Sequence, residues 1–221
     1  MRILRSIAGI LAAVMFMLSA VSGLSFADDV VITDREIDPE TGLEFKLLDD
    51  GTYSVSCPET NRERLTGELV IPSEYNGVRV TSIADLAFLE CNGLTSVTIP
   101  QGITYIGGGA FINCNNLTSI TIPYSVTNID GGAFYLCTNL ADINVDENNE
   151  YYCSEEGVLF NKSKTELMMY PIAKKIETYT IPESVTKIGE VAFSGHDELV
   201  SIDLHEQITF IGRRSFFCVK I

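Results

Sequence analysis

LTSVTIPQGITYIGGGAFINCNN, residues 94–116, is followed directly by LTSITIPYSVTNIDGGAFYLCTN, residues 117–139, and this pair of lines decides how the rest of the chain is read. Set out every 23 residues, Leu94, Leu117 and Leu140 share a column, as do Ile106, Ile129, Ile188 and Ile211, and Phe88, Phe111, Phe134, Phe193 and Phe216. Pro100, Pro123 and Pro182 mark one corner on successive lines. A fixed period of this length is the mark of stacked supersecondary units, none of which can bury its own apolar face alone.

Within a line, Val97 and Ile99 alternate with Ser96 and Thr98, the period of two expected of a strand with one buried face. Proline ends that strand because it has no N–H for a ladder. The three glycines Gly107, Gly108 and Gly109 align with Asp130, Gly131, Gly132 and with Gly212, Arg213, Arg214. A phosphate-gripping loop does not tolerate such exchanges, so the run reads as a tight corner, with the first position expected to need positive φ.

The two quoted lines resemble the BspA-like, or Treponema-type, leucine-rich repeats of bacterial cell-surface proteins. The segment DENNEYYCSEEGVLFNKSKTELMMYPIAKK, residues 146–175, resembles a longer unit that recurs in that family. The resemblance covers about residues 65–216. It implies a right-handed, β-rich solenoid of leucine-rich-repeat type with 23-residue coils, on exported proteins that adhere to host or neighbouring surfaces.

The organisation around the repeats follows. Residues 1–27 carry Arg2 and Arg5, an apolar run over 7–21 and small closing residues, the layout of a secretory signal peptide. That run is shorter than the roughly 20 residues of a membrane-spanning helix, so no membrane span is expected once the signal is removed. Residues 28–64 are read as an acidic leader, unpatterned to Gly42, and an N-terminal β-hairpin cap. In that hairpin Leu43, Phe45 and Leu47 face Tyr53 and Val55 across a type I′ turn at Asp50–Gly51. Residues 65–221 form the solenoid. Ser73 to Gly77 bulges outward in its first coil, and residues of about 146–178 make an enlarged, hairpin-like coil for which a helix is the alternative. The last line stops five residues past Phe216 with no strand to cover it. Either the sequence is a truncated product or end-to-end self-association covers that edge.

Charge narrows the partners. Removing residues 1–27 takes two of 15 basic residues and none of 30 acidic ones, leaving a net charge of −17. Nucleic acid and anionic membrane surfaces are poor matches for such a chain. Residues 80–161 hold no Lys or Arg and nine acids, read chiefly as a solvated acidic face.

No chemistry-bearing constellation converges. Cys91, Cys114 and Cys137 form a column expected to be buried free thiols, whereas Cys57, Cys153 and Cys218 lie off it and could pair. His196 falls in the cysteine column and His205 in the proline column, so no catalytic pair is expected. Asp146, Asn148 and Glu150 have only part of a calcium-loop spacing, and no metal or cofactor is assigned. The outward strand positions are small and polar. The partner-binding candidates are therefore the corner and insertion tyrosines Tyr105, Tyr124, Tyr135, Tyr151, Tyr152 and Tyr170. The expected function is a non-enzymatic binding or adhesion module, secreted or at the cell surface, for an extracellular protein or glycan. A structural scaffold without its own ligand is the alternative.

Overall fold

The computed structural model describes residues 34–175, 177–197 and 199–219. The proposed signal peptide lies outside them. Among the described residues, eighteen strands and one 3-10 segment, Glu59–Arg64, wind as a β-solenoid. The regular coils each contribute one longer and one two-residue strand. The longer ones pair in parallel: β4 (Gly67–Val70) with β7 (Leu94–Thr98), β9 (Ser119–Ile122) with β11 (Asp142–Val145), and β15 (Thr178–Thr180) with β17 (Ser201–Asp203). The short corner strands form a second ladder, in which β3 (Tyr53–Ser56), β6 (Val78–Ile83), β8 (Tyr105–Ile106) and β10 (Asn128–Ile129) follow one another in parallel. Beyond a break, β14 (Glu166–Met169), β16 (Lys187–Ile188) and β18 (Phe210–Ile211) resume it. Val55, Ile83, Ile106 and Ile129 occupy one register line, continued by Leu167, Ile188 and Ile211.

The core is these columns seen end on. The rings of Phe88, Phe111 and Phe134 stack at centroid distances of 5.2 and 5.7 Å, nearly parallel. Tyr170, Phe193 and Phe216 repeat the arrangement at 5.3 and 5.4 Å. The interval of 59 between Phe134 and Phe193 therefore contains one enlarged coil of 36 residues with Tyr170 on its rung, followed by one ordinary coil.

Each corner turns through two left-handed residues four positions apart. The first is Leu86, Gly109, Gly132, Val191 or Arg214, and the second is Glu90, Asn113, Leu136, Gly195 or Cys218. The left-handed position is thus the third of the glycine triplet, not the first as the sequence suggests. The first is small for another reason: a Cβ on Gly107 would sit 2.5 Å from the backbone nitrogen of Asp85. A left-handed non-glycine residue costs about 1–2 kcal/mol, and glycine's looser unfolded chain returns about 0.5–1 kcal/mol of that. Glu90 is exposed at φ 60°. Glu90→Gly is therefore expected to stabilise the fold by about 0.5–1 kcal/mol, read as a higher urea midpoint at unchanged slope.

At the N-terminal end, β1 (Arg35–Ile37) pairs antiparallel with β2 (Glu44–Leu47), which pairs with β3. Part of the stretch read as an unpatterned leader is thus a third cap strand. The β2–β3 turn is not type I′. Gly51 alone is left-handed there, and its N–H donates to Leu48 O at 3.0 Å, a three-residue turn with a glycine bulge. The type I′ signature lies instead at Asn76–Gly77, both with positive φ, between β5 (Glu74–Tyr75) and β6. The segment expected to bulge outward folds back as this hairpin, and Tyr75 stacks on Phe45 at 4.0 Å.

Among its described residues the enlarged coil contains no helix. β12 (Tyr152–Glu155), β13 (Val158–Asn161) and β14 form an antiparallel meander, with a type I′ pair at Glu156–Gly157. Val158, Leu159 and Phe160 are all buried, because Leu159 packs into the core before the meander while Val158 and Phe160 pack into the core after it. The meander is a partition. β10 finds no partner strand across it, and the Tyr152 hydroxyl closes the edge instead, accepting the Ile129 N–H at 2.9 Å.

Candidate functional site

Polar side chains of the coils are spent on joining coil to coil. Cys114 Sγ donates to Phe88 O at 3.1 Å and Cys137 Sγ to Phe111 O at 2.9 Å, and burial pushes both thiols up to about 12. All six cysteines are free. Cys57 lies off the cysteine column, as expected, and stands at the ring position of its coil: its N–H donates to Ala87 O, the same bond Phe88 makes to Ala110 O. Asn115 Nδ2 donates to Asn92 Oδ1 at 2.9 Å, and the Thr138 hydroxyl to Asn115 Oδ1 at 3.0 Å.

The histidines are held in the same way. His196, buried, donates Nε2–H to Tyr170 O at 2.9 Å, in the role of the column cysteines. His205 donates Nε2–H to Pro182 O at 3.0 Å. Burial lowers the His196 pKa below its ordinary 6.5, so the folded protein keeps it neutral where the unfolded chain takes a proton. Stability from this site is complete above pH about 6.5 and falls as pH drops through that value toward the folded pKa. His196→Cys is expected to keep the bond to Tyr170 O and to flatten the dependence of the melting temperature on pH between about 6.5 and 5.

Among the described residues no group of three or more His, Cys, Asp or Glu could hold a metal ion. In residues 146–150, Asp146 Oδ1 accepts from the backbone and the side chain of Asn148, forming a turn.

The six candidate tyrosines separate. Tyr152 and Tyr170 are buried, with 8% and 1% of their surface exposed, and leave the candidate surface. The first closes the β10 edge and the second fills a ring column. Tyr105 is half-buried, and its hydroxyl donates to Asp130 Oδ2 at 2.6 Å beside Asp85 Oδ1 at 3.1 Å. That bond, with burial and the two carboxylates, raises its pKa. Tyr135 is half-buried at the neighbouring corner.

Tyr124 and Tyr151 are exposed and belong to one corner, joined through the buried Asn149. Asn149 Nδ2 donates to the carbonyls of Pro123 and Val126 at 2.9 and 3.0 Å, while its Oδ1 accepts the N–H groups of Tyr151 and Tyr152 at 2.8 Å each. Nothing in the local sequence marks Asn149 as this clamp. Beside the corner, the strand face presents Thr98, Ser119, Thr121, Asp142, Asn144, Thr178, Thr180 and Asp203, small groups whose only charges are acidic.

This arrangement, short parallel strands in two ladders with apolar columns between them, defines a leucine-rich-repeat solenoid. The BspA type leucine-rich repeat region matches in six copies over residues 68–173 and 169–221. The chain belongs to that family. A leucine-rich repeat protein from Eubacterium ventriosum is similar over 83% of this chain and 62% of its own, with 27% identity and a TM-score of 0.50. This chain therefore spans less than two thirds of that protein. The pneumococcal vaccine antigen PcpA, at 19% identity, covers 82% of this chain and 67% of its own at TM-score 0.53. The leucine-rich repeat protein of T. pallidum, at 23%, covers 80% and 82% at TM-score 0.51. The latter two show a shared fold. No curated protein matches the chain. Among the described residues no helix is long and apolar enough to cross a membrane.

Proposed function

We propose that this chain is an exported, non-enzymatic binding or adhesion module that presents its strand face and the Tyr124–Tyr151 corner to an extracellular protein or glycan. The observation that carries this reading is the corner itself: two exposed tyrosines on backbone segments that a buried asparagine ties together, at the margin of a flat polar face. Aromatic groups on a rigid support supply contact area at low entropic cost, and repeated coils turn weak individual contacts into avidity. Export rests on the layout of residues 1–27, and mature protein beginning at Asp28 is the expected product.

The test is capture by immobilised matrix proteins and surface glycans, comparing the native chain with Tyr124→Ala/Tyr151→Ala. Loss of capture in the double variant supports the reading. Silence of the native chain across the panel at micromolar concentration favours a scaffold without its own ligand, a reading supported by the lack of aromatic anchors among those strand-face residues.

A further inference from the structure

The column that holds the cysteines and His196 reaches backward by a fixed step. Cys114, Cys137 and His196 each bond the carbonyl 26 positions earlier, and that carbonyl belongs to the ring residue of the preceding coil: Phe88, Phe111 and Tyr170. Cys91 heads the column, and the ring position before it is held by Cys57, whose N–H makes the ring-position bond to Ala87 O at 2.7 Å. A thiol that elsewhere meets a phenylalanine rung therefore meets a second thiol. Both are buried in one core cluster, Cys57 with 5% and Cys91 with 0% of its surface exposed. The Cys91 S–H donates to Cys57 Sγ, and the Cys57 S–H donates onward to Pro58 O at 3.4 Å. No sulfur stands on the rungs that Cys114 and Cys137 face.

The pair lies where the cap joins the repeats. Cys57 follows β3, the last strand of the cap, and Cys91 lies in the corner that precedes β7. Arg62, on the 3-10 segment between them in sequence, has a buried Nε with no hydrogen-bond partner among the described residues. The bond from Cys91 holds the Cys57 thiol below its ordinary value against burial, and the Arg62 charge adds to it. Cys57 is thus the sulfur that gives up its proton first, and thiolate is the form that attacks a disulfide.

We propose that Cys57 and Cys91 close to a disulfide that staples the N-terminal cap to the first coil in an oxidising compartment. The step is two exchanges with a small disulfide oxidant, for which glutathione disulfide serves as the probe. The Cys57 thiolate attacks one oxidant sulfur and releases a glutathione thiolate; the Cys91 thiolate then attacks the Cys57 sulfur of the mixed disulfide and releases the second. The two cysteines lose two electrons, the oxidant gains them, and the two protons end on the released glutathione thiols. Because both sulfurs are buried in the finished fold, exchange takes place before the cap has docked. The bond joins residues 34 positions apart and so restricts the unfolded chain, and it fastens the element that covers the first coil. The staple acts whether or not the chain binds a ligand.

For the test, the chain is refolded from urea in a buffer of oxidised and reduced glutathione, and its free thiols are alkylated in denaturant. Linked peptides are mapped after chymotryptic cleavage, which separates Cys91, Cys114 and Cys137 at Leu94, Phe111, Leu117 and Phe134. The expected product is lighter by two hydrogens, carries one Cys57–Cys91 link and melts roughly 5–10 °C above its dithiothreitol-reduced form. Cys114→Ser is expected to keep the link and the difference in melting, whereas Cys57→Ala loses both. The map of the native chain decides even where a variant fails to fold. Alkylation of all six cysteines, a link between other cysteines in place of this one, or a Cys57–Cys91 link that leaves the melting temperature unchanged would each overturn the proposal.

Discussion

Phe111→Ala is expected to lower the unfolding free energy by about 3–5 kcal/mol, whereas Tyr124→Ala changes it by less than about 0.5 kcal/mol. Phe111 is completely buried between the rings of Phe88 and Phe134, at 5.2 and 5.7 Å. Removing it takes away contacts on two sides, and the coils above and below are tied by their own ladders, so the gap cannot close. Tyr124 has 52% of its surface exposed, so truncating it removes little buried contact. Urea melts of both variants rank the two positions. The reverse ranking would mean that the rings recurring every 23 residues are not the interior.

Gly107→Ala is the second large effect, and its contrast is the adjacent glycine. A Cβ at Gly107 would lie 2.5 Å from the backbone nitrogen of Asp85 and 2.6 Å from the carbonyl carbon of Ala84. Those atoms are main chain of the preceding coil, so no rotamer change relieves the overlap and the coils must part. A cost of about 3 kcal/mol is expected. At Gly108 the nearest atom stands at 3.8 Å and neither φ is left-handed, so Gly108→Ala is expected to be close to neutral. Thermal melts of the pair test this, and equal losses would contradict the coil-to-coil contact. Gly212 repeats the same closeness further along the chain, with a Cβ there 2.6 Å from the backbone nitrogen of Glu190.

The architecture was legible because its cause is periodic. The leucine, isoleucine and phenylalanine columns name their own faces, and the cysteine column correctly announced buried thiols. What escaped the reading has a common origin, since one residue type answers two different demands. Glycine at the corner serves closeness at its first position and a left-handed backbone at its third, and Leu86, Val191 and Arg214 hide the second demand by tolerating it. Asp50–Gly51 reads as a type I′ turn in the sequence, yet the turn forms at Asn76–Gly77, the stronger dipeptide, within the segment expected to bulge.

The tyrosines failed for a related reason, because a phenol suits a surface corner and a buried rung alike. Dividing the interval of 59 as 36 and then 23 would have placed Tyr170 under Phe193. No such count exposes Tyr152, whose role depends on the missing strand beside Ile129. The Asn149 clamp is equally silent in the sequence, since two of its four bonds reach back a whole coil, to the carbonyls of Pro123 and Val126.

The partition through the middle of the stack has a consequence for how such chains change length. Because the Ile129 N–H is closed by a phenol and not by a neighbouring strand, the corner ladder stops at β10 and starts again at β14. The two halves still meet through Val191, a corner residue of the later coils that is buried in the earlier core. A 23-residue unit could be duplicated or lost on either side without changing the ladder of the other, while the contact at the enlarged coil fixes how the halves join.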